Sequence, residues 1–183
     1  RHCWEVPAAH YITRLACPAS YLSPMVVVAA SDRSLAVLDW ASGAEVRLIS
    51  DAHERAVTSI SLYEGTPHSS VPAATRDLML TAAADGLLKL WDLRADGGVR
   101  SFSGGHTNRV FPIGASLSPC LRYVACGSED RYGWVYDSGG GGVIGRLEGP
   151  GHSETVSAVS WHPLKPELSS TGLDGAVRFF SSR

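Results

Sequence analysis

Apolar residues fall along this chain in short runs separated by turns rich in glycine, serine and aspartate, and no longer window carries a helical period. Leu78-Met79-Leu80-Thr81-Ala82 and Leu87-Leu88-Lys89-Leu90-Trp91 flank Ala84-Asp85-Gly86, a composition that predicts two strands joined by a tight turn. Tyr123-Val124-Ala125-Cys126 and Gly133-Trp134-Val135-Tyr136 flank Glu129-Asp130-Arg131 in the same way. Runs this continuously apolar suit strands covered on both faces. Glu45-Val46-Arg47-Leu48-Ile49 and Val99-Arg100-Ser101-Phe102 are more mixed, as strands on the outside of a sheet would be. The expected fold is all-β.

One pattern recurs four times. A turn aspartate follows small residues at Asp32, Asp85, Asp130 and Asp174, at separations of 53, 45 and 44 residues. A histidine precedes each one: His10, His53, His106 and His152. Four positions before each aspartate stand Val28, Thr81, Cys126 and Ser170, and six positions after it Leu38, Trp91, Tyr136 and Phe180. The longer gap between His53 and Asp85 holds residues 64–76, whose Pro, Ser and Gly content marks an inserted surface loop.

These spacings, the Gly105-His106 and Gly151-His152 dipeptides and the Trp91-Asp92 pair together resemble the WD40-repeat family, whose period is about 40–45 residues. The resemblance implies a β-propeller in which His, Ser/Thr, Asp and Trp form a hydrogen-bonded cluster in each blade. His53, Thr81, Asp85 and Trp91 match at every position. The partial sets are His152, Ser170, Asp174 and Phe180; His106, Asp130 and Tyr136; and His10 with Asp32. The implied repeats span 10–52, 53–105, 106–151 and 152–183, and residues 1–9 read as the outer strand of an upstream blade. A WD40 ring usually has about seven blades, so four repeats read as the C-terminal part of one, with the remaining blades from the same chain or a partner. Arg1-His2-Cys3-Trp4 has neither an initiator Met nor an apolar signal core, which suggests an internal stretch of a longer chain.

Ser170, His152 and Asp174 have the residue types of a nucleophile, base and orienter. The set recurs in every repeat, however, whereas catalysis needs one site, so a structural role is expected and no catalytic residue is assigned. His2, His68 and His162 share no ligand-like spacing, no CxxC pair occurs, and neither metal nor cofactor is expected. Gly139-Gly140-Gly141-Gly142 lacks the Lys-Ser/Thr of a phosphate loop and reads as a flexible hairpin loop. Cys17, Cys120 and Cys126 lie in or beside apolar runs, as small core residues would, which favours a reduced, intracellular, cytoplasmic setting. With 16 basic against 18 acidic residues the chain lacks the basic field of a nucleic-acid binder, and its longest apolar run is too short to enter a membrane.

The function expected is therefore a non-enzymatic scaffold for other proteins inside a larger assembly. Cilia, vesicle coats, chromatin and RNA machines all use such scaffolds, and nothing in the sequence chooses among them. Candidate partner contacts are loop residues outside the repeat pattern: Tyr11, Arg33, Arg55, Arg109, Arg131 and Tyr132. Trp91-Asp92-Leu93-Arg94 also resembles the WDxR box of substrate receptors of cullin-4 ubiquitin ligases. On that alternative, Asp92 and Arg94 would touch the ligase adaptor.

Overall fold

Each tight turn folds its flanking apolar runs back on one another as an antiparallel pair, and further strands extend the pair on both sides. The computed structural model describes residues 11–17, 25–63, 77–95, 97–149 and 151–181. His10, the strand expected within residues 1–9 and the loop 64–76 lie outside them. The first sheet holds β1 (Ile12–Ala16), β2 (Met25–Ala30), β3 (Leu35–Asp39) and β4 (Glu45–Ile49), and the second β5 (Val57–Leu62), β6 (Leu78–Ala83), β7 (Leu88–Asp92) and β8 (Gly98–Phe102). The third holds β9 (Ala115–Leu117), β10 (Tyr123–Cys126), β11 (Trp134–Asp137) and β12 (Val143–Arg146). The fourth has three strands, β13 (Val156–Trp161), β14 (Glu167–Gly172) and β15 (Val177–Ser181). Every pairing is antiparallel between strands consecutive in sequence. This is an all-β propeller architecture.

The four sheets stack face to face like blades. Val27, Ala29, Leu35 and Val37 of the first pack against Met79 and Trp91 of the second. Leu80, Ala82, Leu88, Leu90 and Phe102 meet Val124, Cys126 and Tyr136 of the third. Ala125 and Val135 meet Val159, Leu168 and Phe180 of the fourth. Alternate residues of β6 thus face opposite neighbours, which is why the run is apolar throughout. Burying a side chain of this size contributes about 1.5–3 kcal/mol, so the interfaces between blades carry the core.

The first strand pair carries a bulge at the same place in three sheets: between Ile12 and Arg14, between Val57 and Ser59, and between Val156 and Ala158. The extra residue is Thr13, Thr58 or Ser157, and its hydroxyl donates to a carbonyl of the second strand, Ala29, Ala82 or Thr171. The single Thr13 hydroxyl proton is shared with Val57 O, the nearer acceptor at 2.8 Å, which ties the first blade to the second. A bulge re-aims the strand and exposes polar groups, and the hydroxyl satisfies one of them.

Two sequence expectations are corrected. Cys126 is buried, but Cys17 and Cys120 are exposed, because their positions just past β1 and in the β9–β10 turn face away from the blade interfaces. The four-glycine run is a closed turn and not a floppy one: Gly140 N–H donates to the Asp137 carboxylate, Gly141 N–H to Asp137 O, and Asp137 N–H to Gly142 O. A positive φ at Gly141 lets the chain turn back there.

Candidate functional site

Each turn aspartate sits where two strands of a blade meet a loop from the preceding one. In the second blade His53 Nδ1 lies 2.9 Å from Asp85 Oδ2, His53 Nε2 lies 2.8 Å from Thr81 Oγ1, and Trp91 Nε1 lies 2.8 Å from the same hydroxyl. For a neutral imidazole and an ionised carboxylate, one proton assignment satisfies all three contacts. The indole donates to Thr81, Thr81 donates to His53 Nε2, and His53 Nδ1–H donates to Asp85. The other aspartate bonds come from the N–H groups of Glu54 and Leu87. Burial pushes the Asp85 carboxyl up, and these donors outweigh it and leave it below the ordinary carboxylate range.

The fourth blade repeats the arrangement. His152 Nδ1 is 3.0 Å from Asp174, and His152 Nε2 is 2.8 Å from Ser170 Oγ. Phe180 has no donor to offer, so the chain stops at the hydroxyl. The bond from His152 holds the Asp174 carboxyl well below its usual value. In the first blade Val28 and Leu38 occupy the hydroxyl and indole positions and pack with Val26 and Ala36. Asp32 there accepts from the Ser34 N–H and hydroxyl.

The third blade departs from the pattern. His106 turns to Tyr136, whose Oη lies 2.6 Å from His106 Nδ1 and accepts the His106 N–H at 3.0 Å. Asp130 instead accepts from Trp134 Nε1 at 2.8 Å and from Tyr132 N–H. The four-position spacing placed His106 with Asp130 but missed Trp134, four residues on and able only to donate. His106 Nε2 is left buried without a partner. Burial holds the His106 imidazole below its ordinary value of 6.5, against the pull of Asp130 and Asp85, and pushes the Tyr136 phenol up to about 12.

Because the folded state resists the proton that unfolded His106 accepts, its stability contribution is complete above the unfolded value and is lost as pH falls below it. Asp85 and Asp174, both depressed, lose theirs only as pH falls below the unfolded carboxylate value of about 4. A thermal-melting series should therefore show a first decline just under pH 6.5 and a second under about pH 4. Stability unchanged across the first window would rule out the His106 assignment.

Another contact had no sequence signal at all. Glu129 Oε1 accepts three successive backbone N–H groups, from Arg109, Val110 and Phe111, at 2.8, 2.6 and 3.0 Å. Among the described residues no group of three or more His, Cys, Asp or Glu is placed to hold a metal ion.

The WD domain, G-beta repeat family model matches residues 45–92 and 143–181. This chain contains WD40 repeats. It is 24% identical to the U5 small nuclear ribonucleoprotein 40 kDa protein of Dictyostelium discoideum over 88% of this chain and 55% of that protein. It is also 24% identical to the E3 ubiquitin-protein ligase COP1 of Arabidopsis thaliana, over 85% of this chain and 22% of the relative. A chain in the crystal structure of the mitotic checkpoint complex shares the fold with a TM-score of 0.74, 18% identity, and coverage of 93% of this chain and 48% of that one. The WD40 chain thus spans about half the length of the ribonucleoprotein relative and of the checkpoint-complex chain, and less of COP1.

On the face carrying the turn aspartates, the candidate contact residues divide. Arg33 is held by Asp51 at 2.6 Å, and Tyr132 lies under the Arg146 guanidinium, 4.5 Å from its ring centroid. Tyr11, Arg55, Arg109 and Arg131 are exposed. Away from that face, the Arg94 guanidinium forks onto the Asp92 carboxylate at 3.0 and 2.7 Å, with Asp77 at 3.6 Å, and stays half-exposed. No helix among the described residues is long and apolar enough to cross a membrane, which leaves strand-based crossing unaddressed.

Proposed function

We propose that this WD40 chain is a non-enzymatic, intracellular scaffold that holds other proteins in a larger assembly, its repeats bounded at 10–52, 53–105, 106–151 and 152–183. One observation carries the reading: the hydroxyl–imidazole–carboxylate sets are sealed inside the blade interfaces. His53 and Thr81 are at most 1% exposed. A substrate cannot reach them, and their protons are committed to one another. Their work is to lock loop to blade, leaving Tyr11, Arg55, Arg109 and Arg131 as the groups a partner would meet. The fourth sheet also presents Val177 and Phe179, 57% and 83% exposed, where a further blade from the same chain or a partner would pack. Stretches 85–94, 118–131 and 173–180 resemble the C-terminal propeller of WD repeat-containing protein 27, a resemblance that brings no activity with it.

A second reading, substrate receptor of a cullin-4 ligase, is favoured by the Asp92–Arg94 fork and by the similarity to a ubiquitin ligase. The fork presents a fixed, half-exposed guanidinium, a form suited to a partner's carbonyl or carboxylate. Affinity purification of the full-length protein with mass spectrometry, beside Arg94→Ala, separates the two. The scaffold reading expects a stable set of proteins unchanged by the substitution. A cullin-4 adaptor that is recovered by the wild type and lost in Arg94→Ala would establish the receptor reading instead.

A further inference from the structure

We infer that the loop between β8 and β9 is a preformed docking knob for an acidic segment of a partner protein that carries an aliphatic or aromatic side chain. The inference rests on the scaffold reading and gives it one contact site with a stated chemistry.

Val110 and Phe111 are adjacent apolar residues, 75% and 42% exposed, at the tip of this loop. Apolar loop tips are ordinarily mobile, and ordering one costs a binding partner entropy. Here the order is built in. Glu129 Oε1 gathers the N–H groups of Arg109, Val110 and Phe111 onto one oxygen, which fixes three consecutive residues from below. On the N-terminal side the buried Asn108 donates its amide to Ala83 O at 2.8 Å, pinning the loop to the second blade. The loop therefore meets a partner already in its bound shape.

The charge beside the knob names the partner. Arg109 is exposed, and among the described residues the exposed Arg55 guanidinium reaches the Arg109 carbonyl, at 3.4 Å. Neither has a carboxylate within ion-pair distance among the described residues. The acids around them are largely engaged. Glu129 is turned into the three N–H groups, Asp85 into His53 and two N–H groups, and Asp130 into Trp134. Glu54 is the exposed carboxylate next to Arg55. Glu129 feels the Arg109 charge, but its Oε1 is taken up by the three N–H groups. An incoming segment thus finds two planar guanidinium forks without an ion-paired carboxylate among the described residues, beside a fixed apolar tip. Carboxylates suit the forks bidentately, and an apolar side chain suits the tip.

The test uses the full-length protein and fluorescent synthetic peptides. One is rich in Asp and Glu around a single central Leu or Phe; a second has Ser in place of the apolar residue; a third has Lys in place of the acids. The first should bind, and the other two should bind at least about tenfold more weakly. Phe111→Ser and Arg109→Ala should each lower affinity for the first peptide by about tenfold. Glu129→Ala removes the acceptor and no contacting group, and its lost negative charge beside Arg109 would by itself favour an acidic peptide, so a weaker affinity in that variant reads the loop's preorganisation. Equal binding of the Lys peptide, undiminished binding in both contact variants, or no binding of any peptide would overturn the inference. If affinity purification still recovers partners in that event, the scaffold reading stands and only this contact fails.

Discussion

Thr81→Val should lower the unfolding free energy by about 2–5 kcal/mol, although it changes only a hydroxyl into a methyl group of nearly equal volume. The hydroxyl accepts from Trp91 Nε1 and donates to His53 Nε2, both at 2.8 Å and both inside the interface of the first two blades. Removing it strands a buried donor and a buried acceptor at once, and each stranded group costs about 1–3 kcal/mol. Thr81→Ser keeps the hydroxyl, as Ser170 does in the fourth blade, and should lose no more than about 1.5 kcal/mol of methyl burial. Denaturant midpoints of the two variants compare these cases directly. If Val and Ser at this position proved equally stable, the network would not be holding the blade together. Val28 is tolerated in the first blade because its indole counterpart is Leu38, and the two join an apolar cluster.

Gly127→Ala should be more damaging still, because the added methyl has nowhere to go. A Cβ at Gly127 would run into Val156 O and stand 2.9 Å from Val156 C, with Ile113 Cγ2 at 3.0 Å. Backbone cannot swing aside as a long side chain does. Val156 N–H donates to Ser128 O, and Gly114 N–H donates to Ser157 O, so both sides of the clash are tied to the seam between the third and fourth blades. Relief requires those blades to separate, at a cost of about 3 kcal/mol or more. Gly145→Ala, on an outer strand with nothing within 4 Å of the new Cβ, should be nearly neutral. Limited proteolysis should cleave Gly127→Ala between the two blades while leaving Gly145→Ala intact. Equal resistance in both would contradict the packing at this seam.

The architecture was legible because it is written in periodic features. Strand pairs follow from apolar runs around Asp-Gly turns, and stacked blades follow from runs such as Leu78–Ala83 that leave no polar face. The site was legible only where the repeat was faithful. His53, Thr81, Asp85 and Trp91 come together with the contacts expected of the family, as do His152, Ser170 and Asp174. The third blade shows why spacing is an incomplete guide. Once Cys126 replaces the hydroxyl and Tyr136 the indole, His106 finds a better partner in the phenol, and Asp130 takes the indole of Trp134. That exchange depends on which donors lie within reach in three dimensions, and no spacing encodes it. The clasp of Glu129 on residues 109–111 was equally silent, since a carboxylate that serves backbone N–H groups needs no particular residue opposite it. The exposed thiols of Cys17 and Cys120 follow from strand ends, where an apolar neighbourhood in sequence does not mean burial in space.

The buried polar networks tie loops to blades, and the proposed role of the exposed loops is to bind proteins. Affinity purification of the full-length protein tests this most directly. A scaffold should yield a reproducible, stoichiometric set of partner proteins retained through stringent washing. Recovery of the chain alone, with no protein held at stoichiometry, would contradict it.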